Sequence, residues 1–227
     1  MKTSFLILFL LLLSLNLYSQ PADFSWDSRH YNSFNYITPV KDQKEQGPCH
    51  VFASVAAVEA MAHIFYNKSE FATANLDLSE RQLYTIGGCG MECTASDVKH
   101  ALVYIRDNGI IDNDSYPFKT QEPYCASDCF ESYRFTVTIP GLDSLETISC
   151  ETDLKKAIMD YGPIIVRLPG EDSNGKKASC ILHPGGDCVS HSILVVGWRS
   201  QPFFEWNIKD SWAGAPSIEY KYISFSL

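Results

Sequence analysis

The sequence predicts an α+β fold, with a helical first half, a mostly antiparallel sheet in the second half and a cleft between them. Apolar residues recur at near-helical spacing over residues 49–66. Beyond about Tyr133 the pattern changes to short β-rich runs, which one helical stretch at residues 152–161 interrupts. With 227 residues, 45% of them hydrophobic, the chain can form one large domain or two small ones around a shared cleft.

The first half contains three predicted helices. The longest covers Cys49–Tyr66 and is rich in small and apolar residues, as in a mostly buried helix. Ser79 is the predicted N-cap of the second helix, and Gln82, three residues further on, completes a capping box. The third helix runs over residues 96–108 and ends at Gly109, because glycine readily forms the C-terminal cap of a helix.

The second half is predicted to be mainly β-structure. Strand candidates lie at residues 134–139, 163–168, 192–198, 204–209 and 220–225. The helix at residues 152–161 separates the first two of them. The sequence contains neither an internal repeat nor a low-complexity linker. We therefore expect the helical and β-rich halves to face each other directly.

The first 20 residues are predicted to be a secretory signal peptide. Lys2 supplies a positive start, residues 5–13 are apolar without a break, and Ser19 is a small residue at the expected cleavage point. The apolar stretch is too short for a membrane span. The remaining chain, residues 21–227, is therefore expected in an extracellular, periplasmic or lysosome-like compartment, without a membrane partner.

The net charge bounds the class of partner. The formal net charge of −9 argues against a nucleic-acid partner, because nucleic-acid binding requires a basic protein face. An acidic balance is also common among secreted proteins, so it does not identify a substrate.

Cys49 is the strongest candidate for a catalytic nucleophile. Pro48 precedes it at the entry to the long helix, a position that suits proline. A thiol at a helix N-terminus lies at the positive end of the helix dipole, which favours the thiolate. Gln43 lies six positions earlier in a polar loop that can bring its amide beside the sulfur. A nucleophile with an amide donor beside it forms half of an acyl-transfer site.

The segment around Cys49 resembles the beginning of the mature domain of papain-like cysteine proteases, the cathepsin family. In that family a V-K-D-Q loop leads to the catalytic cysteine, and residues 40–43 have this sequence at the same distance from Cys49. Residues 78–83, L-S-E-R-Q-L, resemble the family's L-S-E-Q-x-L. Residues 114–118, D-S-Y-P-F, resemble its D-S-Y-P-Y turn.

The resemblance covers about residues 24–225 and implies a papain-like two-lobed fold. A helical lobe would cover about residues 24–130, and an antiparallel, barrel-like β-rich lobe about residues 131–227. The active-site cleft would lie between the two lobes.

The resemblance also implies a catalytic histidine and a residue that orients it. His191 begins the run H-S-I-L-V-V-G-W, which is similar to the family's H-A-V-x-V-V-G-Y strand. Asp210 lies in W-N-I-K-D-S-W, similar to W-x-x-K-N-S-W with aspartate in place of asparagine. Aspartate accepts the same imidazole hydrogen bond and stabilises imidazolium more strongly. Trp212 is expected to shield this bond from water, and Gln43 to donate to the oxyanion.

Several positions depart from the family pattern. Gln46 replaces the upstream cysteine of the signature C-G-[SA]-C-[WY], so the family's disulfide beside the nucleophile cannot form. His50 replaces the aromatic residue that follows the nucleophile. We interpret His50 as a plain substitution, although its main chain can line the oxyanion site and its imidazole can compete for the thiolate. Met91 and Glu92 stand where the family's substrate-binding loop has a second glycine.

The seven cysteines other than Cys49 predict disulfides. An odd number cannot pair within one chain, so one is expected to be free or to form an intermolecular disulfide. Two C-x3-C pairs fit either a zinc site or two disulfides, and export favours the disulfides. A third disulfide between Cys180 and Cys188 is reasonable and leaves Cys150 without a partner. This scheme joins Cys89 and Cys93 to Cys125 and Cys129, and Cys180 to Cys188.

These observations predict a secreted cysteine peptidase that acts on peptides or proteins through a thioester, needs no cofactor or metal, and uses Cys49, His191, Asp210 and Gln43. The alternative is a catalytically weak or inactive homologue that serves as a binding or inhibitory module. The lack of space for the family's propeptide between Gln20 and Ser25, together with the altered loop and His50, motivates this alternative. A third alternative is use of the same residues for transferase or amidase chemistry.

Overall fold

The computed structural model describes residues 20–27, 35–44, 48–66, 76–84, 98–118, 148, 150–168, 191–212 and 221–223. Its helices are α1 (Cys49–Tyr66), α2 (Glu80–Leu83), α3 (Val98–Asn108) and α4 (Glu151–Tyr161). Its strands are β1 (Phe24–Ser25), β2 (Ile164–Leu168), β3 (His191–Arg199), β4 (Glu205–Lys209) and β5 (Lys221–Ile223). The earlier part of the described chain is mainly helical and the later part mainly β-structure, which confirms the predicted α+β class.

Helix α1 lies between two hydrophobic cores. All of residues 51–60 are buried, as expected for a helix that is covered on all sides. One core contains the sheet together with Ala56, Ala57 and Ala60 of α1. The other contains residues of α2 and α3 together with Val51, Val55 and Val58 of α1. The small residues on one side of α1 thus allow close packing against the sheet.

Strand β3 is the central strand of an antiparallel sheet. Strand β4 pairs with one edge of β3, β1 and β2 pair with the other edge, and β5 extends the sheet beyond β4. Leu194 of β3 lies opposite Lys209 of β4. Because the two strands are antiparallel, the beginning of β3 and the end of β4 lie at the same end of the sheet. His191 and Asp210 are therefore neighbours in space.

The short strand β1 was not predicted, because two residues carry no periodic signal. It forms where the backbone of β3 comes very close, at Gly197. A Cβ atom at this position would lie 2.0 Å from the carbonyl oxygen of Phe24 and 2.6 Å from the Cα of Ser25. Only glycine therefore permits this contact.

Two helix ends have the predicted capping residues, Ser79 and Gly109, and a third, at Gly162, was not predicted. Ser79 caps α2, and its side chain accepts a hydrogen bond from the backbone N–H of Gln82. The prediction that the Gln82 side chain completes a capping box is wrong, because its Oε1 accepts the Ile111 N–H while the Ser79 N–H donates to the Ile111 carbonyl.

Gly109 follows α3 with a φ of 72° and donates its N–H to the carbonyl of Ile105. Gly162 follows α4 with a φ of 103°. Positive φ values are readily available only to glycine, so these residues stop the helices where they do.

Some predictions fall outside the described residues and stay predictions. They include the signal peptide, the strand at 134–139 and the disulfide scheme for Cys89, Cys93, Cys125, Cys129, Cys180 and Cys188. Cys150 is described, and its exposed thiol is free. In the described part of the chain, no helix has the length and apolar character needed to cross a membrane. The boundaries of the two lobes also stay predictions.

Candidate active site

Cys49 is the first residue of α1, and its sulfur faces the beginning of β3. The Pro48 carbonyl accepts the N–H groups of Val51 and Phe52, which forms the first turn of the helix behind the cysteine. The Cys49 sulfur accepts a hydrogen bond from the backbone N–H of Ser192 at 3.3 Å. A helix N-terminus and a strand amide therefore both direct partial positive charge at this sulfur.

His191 lies beside Cys49 as the first residue of β3. Its Nε2 atom lies 2.8 Å from Oδ1 of Asp210, and the imidazole also hydrogen-bonds the Cys49 side chain. A carboxylate is an acceptor only, so Nε2 carries a proton and the other ring nitrogen faces the sulfur. Both His191 and Asp210 are buried. The structure thus brings these three predicted residues together in the expected order.

The ring of Trp212 covers His191. The two ring planes are stacked, with centroids 4.2 Å apart and an angle of 6° between them. Trp212 is itself only 4% exposed. The contact restrains the imidazole against rotation and covers the His191–Asp210 hydrogen bond, as predicted from the sequence.

The surroundings favour an ion pair between Cys49 and His191. Burial opposes ionisation of Cys49, but hydrogen bonds from His191, His50 and the Ser192 amide outweigh it and lower the thiol pKa to about 5. Burial likewise disfavours a charged His191, but the hydrogen bonds with Asp210 and Cys49 raise its pKa to about 9. Between these values the pair exists mainly as thiolate and imidazolium, and the two titrations are coupled.

Gln43 is buried and held by Ser211. Its backbone N–H donates to the Ser211 carbonyl at 2.8 Å, and its Oε1 atom accepts a hydrogen bond from the Ser211 hydroxyl. Because Oε1 accepts this hydrogen bond, the side-chain NH2 group, which can only donate, points away from Ser211. The role of Ser211 was missed, although its position directly after Asp210 was a usable signal.

Beneath the site, a buried charge network links α1 to β4. Glu59 of α1 accepts hydrogen bonds from Thr38 and from Lys41, the latter at 2.8 Å. Lys209, the residue before Asp210, donates to Thr38 at 2.6 Å and lies 3.7 Å from Glu59. Lys41 also pairs with Glu80 at 2.8 Å. These contacts fix the end of β4 against α1 and so contribute to the position of Asp210.

The network was missed because its members are far apart in the sequence and belong to different elements. Burial raises the pKa of Glu80 to about 7, although Lys41 opposes the shift. Burial also lowers the pKa of Lys209, against the attraction of Glu59. The buried charges are therefore mutually dependent, and removal of one leaves its partner uncompensated.

A family model described as papain family cysteine protease matches residues 22–223 of the chain. The chain belongs to this family. The match covers all the described strands and helices, so the assignment applies to the fold as a whole and not to the cysteine segment alone.

Similar proteins include a digestive cysteine proteinase and a cathepsin. Digestive cysteine proteinase 1 of Homarus americanus is 30% identical over 186 residues, which is 78% of this chain and 55% of that protein. Cathepsin K of Mus musculus is 30% identical over 199 residues, which is 82% of this chain and 55% of that protein. The chain thus spans about half the length of these curated relatives.

Two solved structures share the fold. Digestive procathepsin L2 proteinase from the larval midgut of Tenebrio molitor has a TM-score of 0.62 and 22% identity, covering 94% of this chain and 66% of that one. A structure from work on the mite allergens Blo t 1 and Der p 1 has a TM-score of 0.65 and 23% identity, with 92% and 67% covered. These likenesses confirm the papain-like fold.

Proposed function

We propose that the protein is an exported cysteine peptidase that hydrolyses peptide bonds in peptides or proteins, with Cys49 as nucleophile, His191 as acid and base, and Asp210 as its orienting partner. The single observation that supports this most strongly is the placement of His191 between the Cys49 side chain and Asp210, with Nε2 2.8 Å from the Asp210 carboxylate. In this arrangement the pKa of Cys49 is lowered to about 5 and that of His191 is raised to about 9, which favours a thiolate–imidazolium pair. A neutral thiol is a poor nucleophile, whereas this pair supplies a thiolate at neutral pH.

In the first stage, the Cys49 thiolate attacks the carbonyl carbon of the scissile peptide bond. The carbonyl oxygen becomes an oxyanion, which the Gln43 side-chain amide and the Cys49 backbone N–H stabilise. The latter belongs to the first N–H groups of α1, which have no partner within the helix. The His191 imidazolium then gives its proton to the departing amine, and a thioester on Cys49 remains.

In the second stage, water hydrolyses the thioester. His191, now neutral, takes a proton from the attacking water, and the oxyanion again receives the same two donors. Collapse of the intermediate releases the carboxylic acid and restores the thiolate beside imidazolium. The Asp210 carboxylate holds the imidazole in the required orientation throughout, because its Oδ1 accepts a hydrogen bond from Nε2–H, with an N···O distance of 2.8 Å.

Export and substrate class also belong to this proposal. The predicted signal peptide supports an exported protein, and two of the similar proteins are named as digestive proteinases. A digestive or degradative role on peptides or proteins agrees with both observations.

Peptide turnover tests the proposal directly. The wild-type protein is compared with Cys49→Ala and with His100→Phe, a control on the exposed side of α3, in cleavage of a mixed peptide library followed by mass spectrometry. We expect cleavage by the wild type and the control, and none by Cys49→Ala. Equal, near-zero rates for all three would reject the peptidase and favour the binding-module alternative.

A further inference from the structure

Lys44, the residue after Gln43, has an unusual backbone conformation. Its φ is 59°, and among the residues that the structure describes it is the one residue other than glycine with a positive φ. This region is disfavoured when a side chain is present, because the Cβ atom comes too close to the following carbonyl oxygen. Residues in such conformations persist only where their surroundings hold them, and they are concentrated at functional sites. The contacts that hold Lys44 therefore bear on the function of the neighbouring Gln43.

Asp42 supplies the contacts that hold Lys44. Its Oδ1 atom accepts the backbone N–H of Lys44 at 2.9 Å, and its Oδ2 atom pairs with the Nζ atom of the same lysine. Aspartate commonly forms such a hydrogen bond to the backbone two residues later, in turns. Partial burial opposes ionisation of Asp42, but the side-chain and backbone hydrogen bonds of Lys44 outweigh it and lower the carboxyl pKa below its ordinary value of 3.8. Asp42 is therefore an ionised acceptor at neutral pH.

The turn from Asp42 to Lys44 fixes the backbone on both sides of Gln43. Gln43 donates its N–H to the Ser211 carbonyl at 2.8 Å and accepts the Ser211 hydroxyl at Oε1. Gln43 is buried, whereas Lys44 is exposed. A negative φ at Lys44 would rotate the peptide plane between the two residues. The contacts of Gln43 with Ser211 and the direction of its side-chain amide would then change.

The ion pair between Asp42 and Lys44 does not by itself explain the conformation. The side chain of Lys44 is 59% exposed and that of Asp42 is 24% exposed. Exposed ion pairs contribute little to stability, because water screens the charges and the long side chain loses freedom. The hydrogen bond to the backbone N–H acts on the peptide plane itself. It is therefore the contact that opposes a change of φ at Lys44.

We propose that Asp42 is a positioning residue for the oxyanion donor: its carboxylate fixes the peptide plane between Gln43 and Lys44 and thereby directs the Gln43 amide. The inference rests on the proposed function in taking Gln43 as a donor to the oxyanion. Asp42 acts through Gln43 and not on the reacting atoms. Because the oxyanion develops only after attack, a displaced Gln43 slows turnover more than it weakens substrate binding.

Steady-state kinetics on one peptide substrate test the catalytic consequence. The wild type is compared with Asp42→Ala, Asp42→Asn, the double variant Asp42→Ala/Lys44→Gly and Asp107→Ala. The last is a matched control, because exposed Asp107 also pairs with a basic residue close in sequence, Arg106 of α3. Chemical denaturation establishes that each variant is folded.

We expect Asp42→Ala to lower kcat about tenfold with little change in KM, a smaller loss than the about 100- to 1,000-fold caused by removal of an oxyanion donor. Asp42→Asn keeps the acceptor for the Lys44 N–H and is expected to retain most of kcat. The double variant is expected to regain much of the loss, because glycine adopts a positive φ without support. Asp107→Ala is expected to match the wild type.

Hydrogen exchange tests the turn without peptide turnover. The protection factor of the Gln43 N–H, its slowing relative to an unfolded chain of the same sequence, is measured by NMR on isotope-labelled protein. We expect Asp42→Ala to lower this protection about tenfold, because local opening becomes easier when the turn is not held. Asp42→Asn and the double variant are expected to restore it.

Three results would overturn the inference: wild-type kcat and Gln43 protection in Asp42→Ala, a loss that Asp42→Asn and the double variant share in full, or a rise in KM with unchanged kcat. The two proposals fail separately. A protein that cleaves no peptide but loses and regains Gln43 protection as expected contradicts the proposed function and supports the role of Asp42. Peptide cleavage with unchanged kcat in Asp42→Ala contradicts the role of Asp42 alone.

Discussion

At the scale of single residues, two hydrogen bonds decide which atoms are available beside the Cys49 sulfur. Asp210 engages Nε2 of His191, so the other ring nitrogen faces the thiol. The Ser211 hydroxyl donates to Oε1 of Gln43, so the acceptor end of this amide faces Ser211 and the NH2 end is directed elsewhere. Both side chains have two chemically different ends, and each of these contacts selects one of them.

Asp210→Asn is expected to narrow the pH range of peptide hydrolysis from the alkaline side. The hydrogen bond and charge of Asp210 help to raise the pKa of His191 to about 9 against the effect of burial. Asparagine keeps an acceptor but removes the charge, so the imidazolium is lost at lower pH. In kcat/KM measured against pH, the basic limb should move down, whereas an unchanged basic limb would contradict the role given to the carboxylate.

Ser211→Ala is expected to reduce kcat about tenfold and to change KM little. Without the hydroxyl, the Gln43 amide can rotate and its donor is no longer directed to the oxyanion, which develops only after attack. Steady-state kinetics on one peptide substrate measure this split. Ser115→Ala, at an exposed serine, is the control. A rise in KM with unchanged kcat would indicate that Ser211 acts in substrate binding instead.

The candidate residues Cys49, His191, Asp210 and Gln43 could be predicted because each lies in a recognisable segment, and the sheet register explains why two of them meet. The contacts of Ser211 with Gln43 could not be predicted in the same way. They depend on side-chain rotamers and on which atoms of neighbouring elements lie within about 3.5 Å, information that a linear pattern does not contain.

At the scale of elements, the helices and the longer strands were predictable, whereas the two-residue strand β1 was not. Helix α1 has the predicted bounds, Cys49–Tyr66. Strands β2 and β4 begin one residue later than predicted, and β3 is one residue longer at each end. Strand β1 has two residues and forms only because Gly197 allows close approach. Its existence depends on a tertiary contact between distant parts of the chain.

Gly197→Ala is expected to destabilise the protein by about 2 kcal/mol or more, through loss of the β1–β3 pairing. The new methyl group would have to displace the backbone of Phe24, since its carbon would lie only 2.0 Å from the Phe24 carbonyl oxygen. Chemical denaturation measures the change in the free energy of unfolding. A variant as stable as the wild type would mean that β1 is not packed against β3 as described.

At the scale of the whole molecule, buried ionisable groups couple stability to pH. His63 of α1 is buried and contacts the Tyr36 carbonyl through Nδ1 at 3.1 Å. Burial lowers its pKa below the ordinary value of 6.5. Glu80 acts in the opposite direction, because burial raises its pKa to about 7. Acidification therefore lowers the free energy of unfolding through His63 and raises it through Glu80.

His63→Gln is expected to remove part of the loss of stability at acid pH. In the unfolded chain His63 binds a proton near pH 6.5, whereas in the folded protein burial disfavours the protonated ring. The unfolded state therefore gains free energy from protonation first, and the wild type loses stability as the pH falls from 6.5 toward the folded pKa. Denaturation at pH 7.5 and pH 5 measures the change. The difference in unfolding free energy between wild type and variant should shift against the wild type at pH 5.

His100→Gln is the matched control for this comparison, because His100 is an exposed residue of α3. We expect its stability relative to the wild type to be the same at both pH values. A constant difference between the wild type and His63→Gln would contradict the assignment of His63 as a buried, neutral histidine.

The central proposal is that Cys49 forms a thioester with the acyl part of a peptide substrate. A single-turnover reaction, with protein in excess of an ester or peptide substrate, is stopped with acid and analysed by peptide mass mapping. We expect the acyl group on the peptide that contains Cys49, and its absence in Cys49→Ala. An acyl group on another residue, or substrate cleavage that continues at the wild-type rate in Cys49→Ala, would contradict the mechanism.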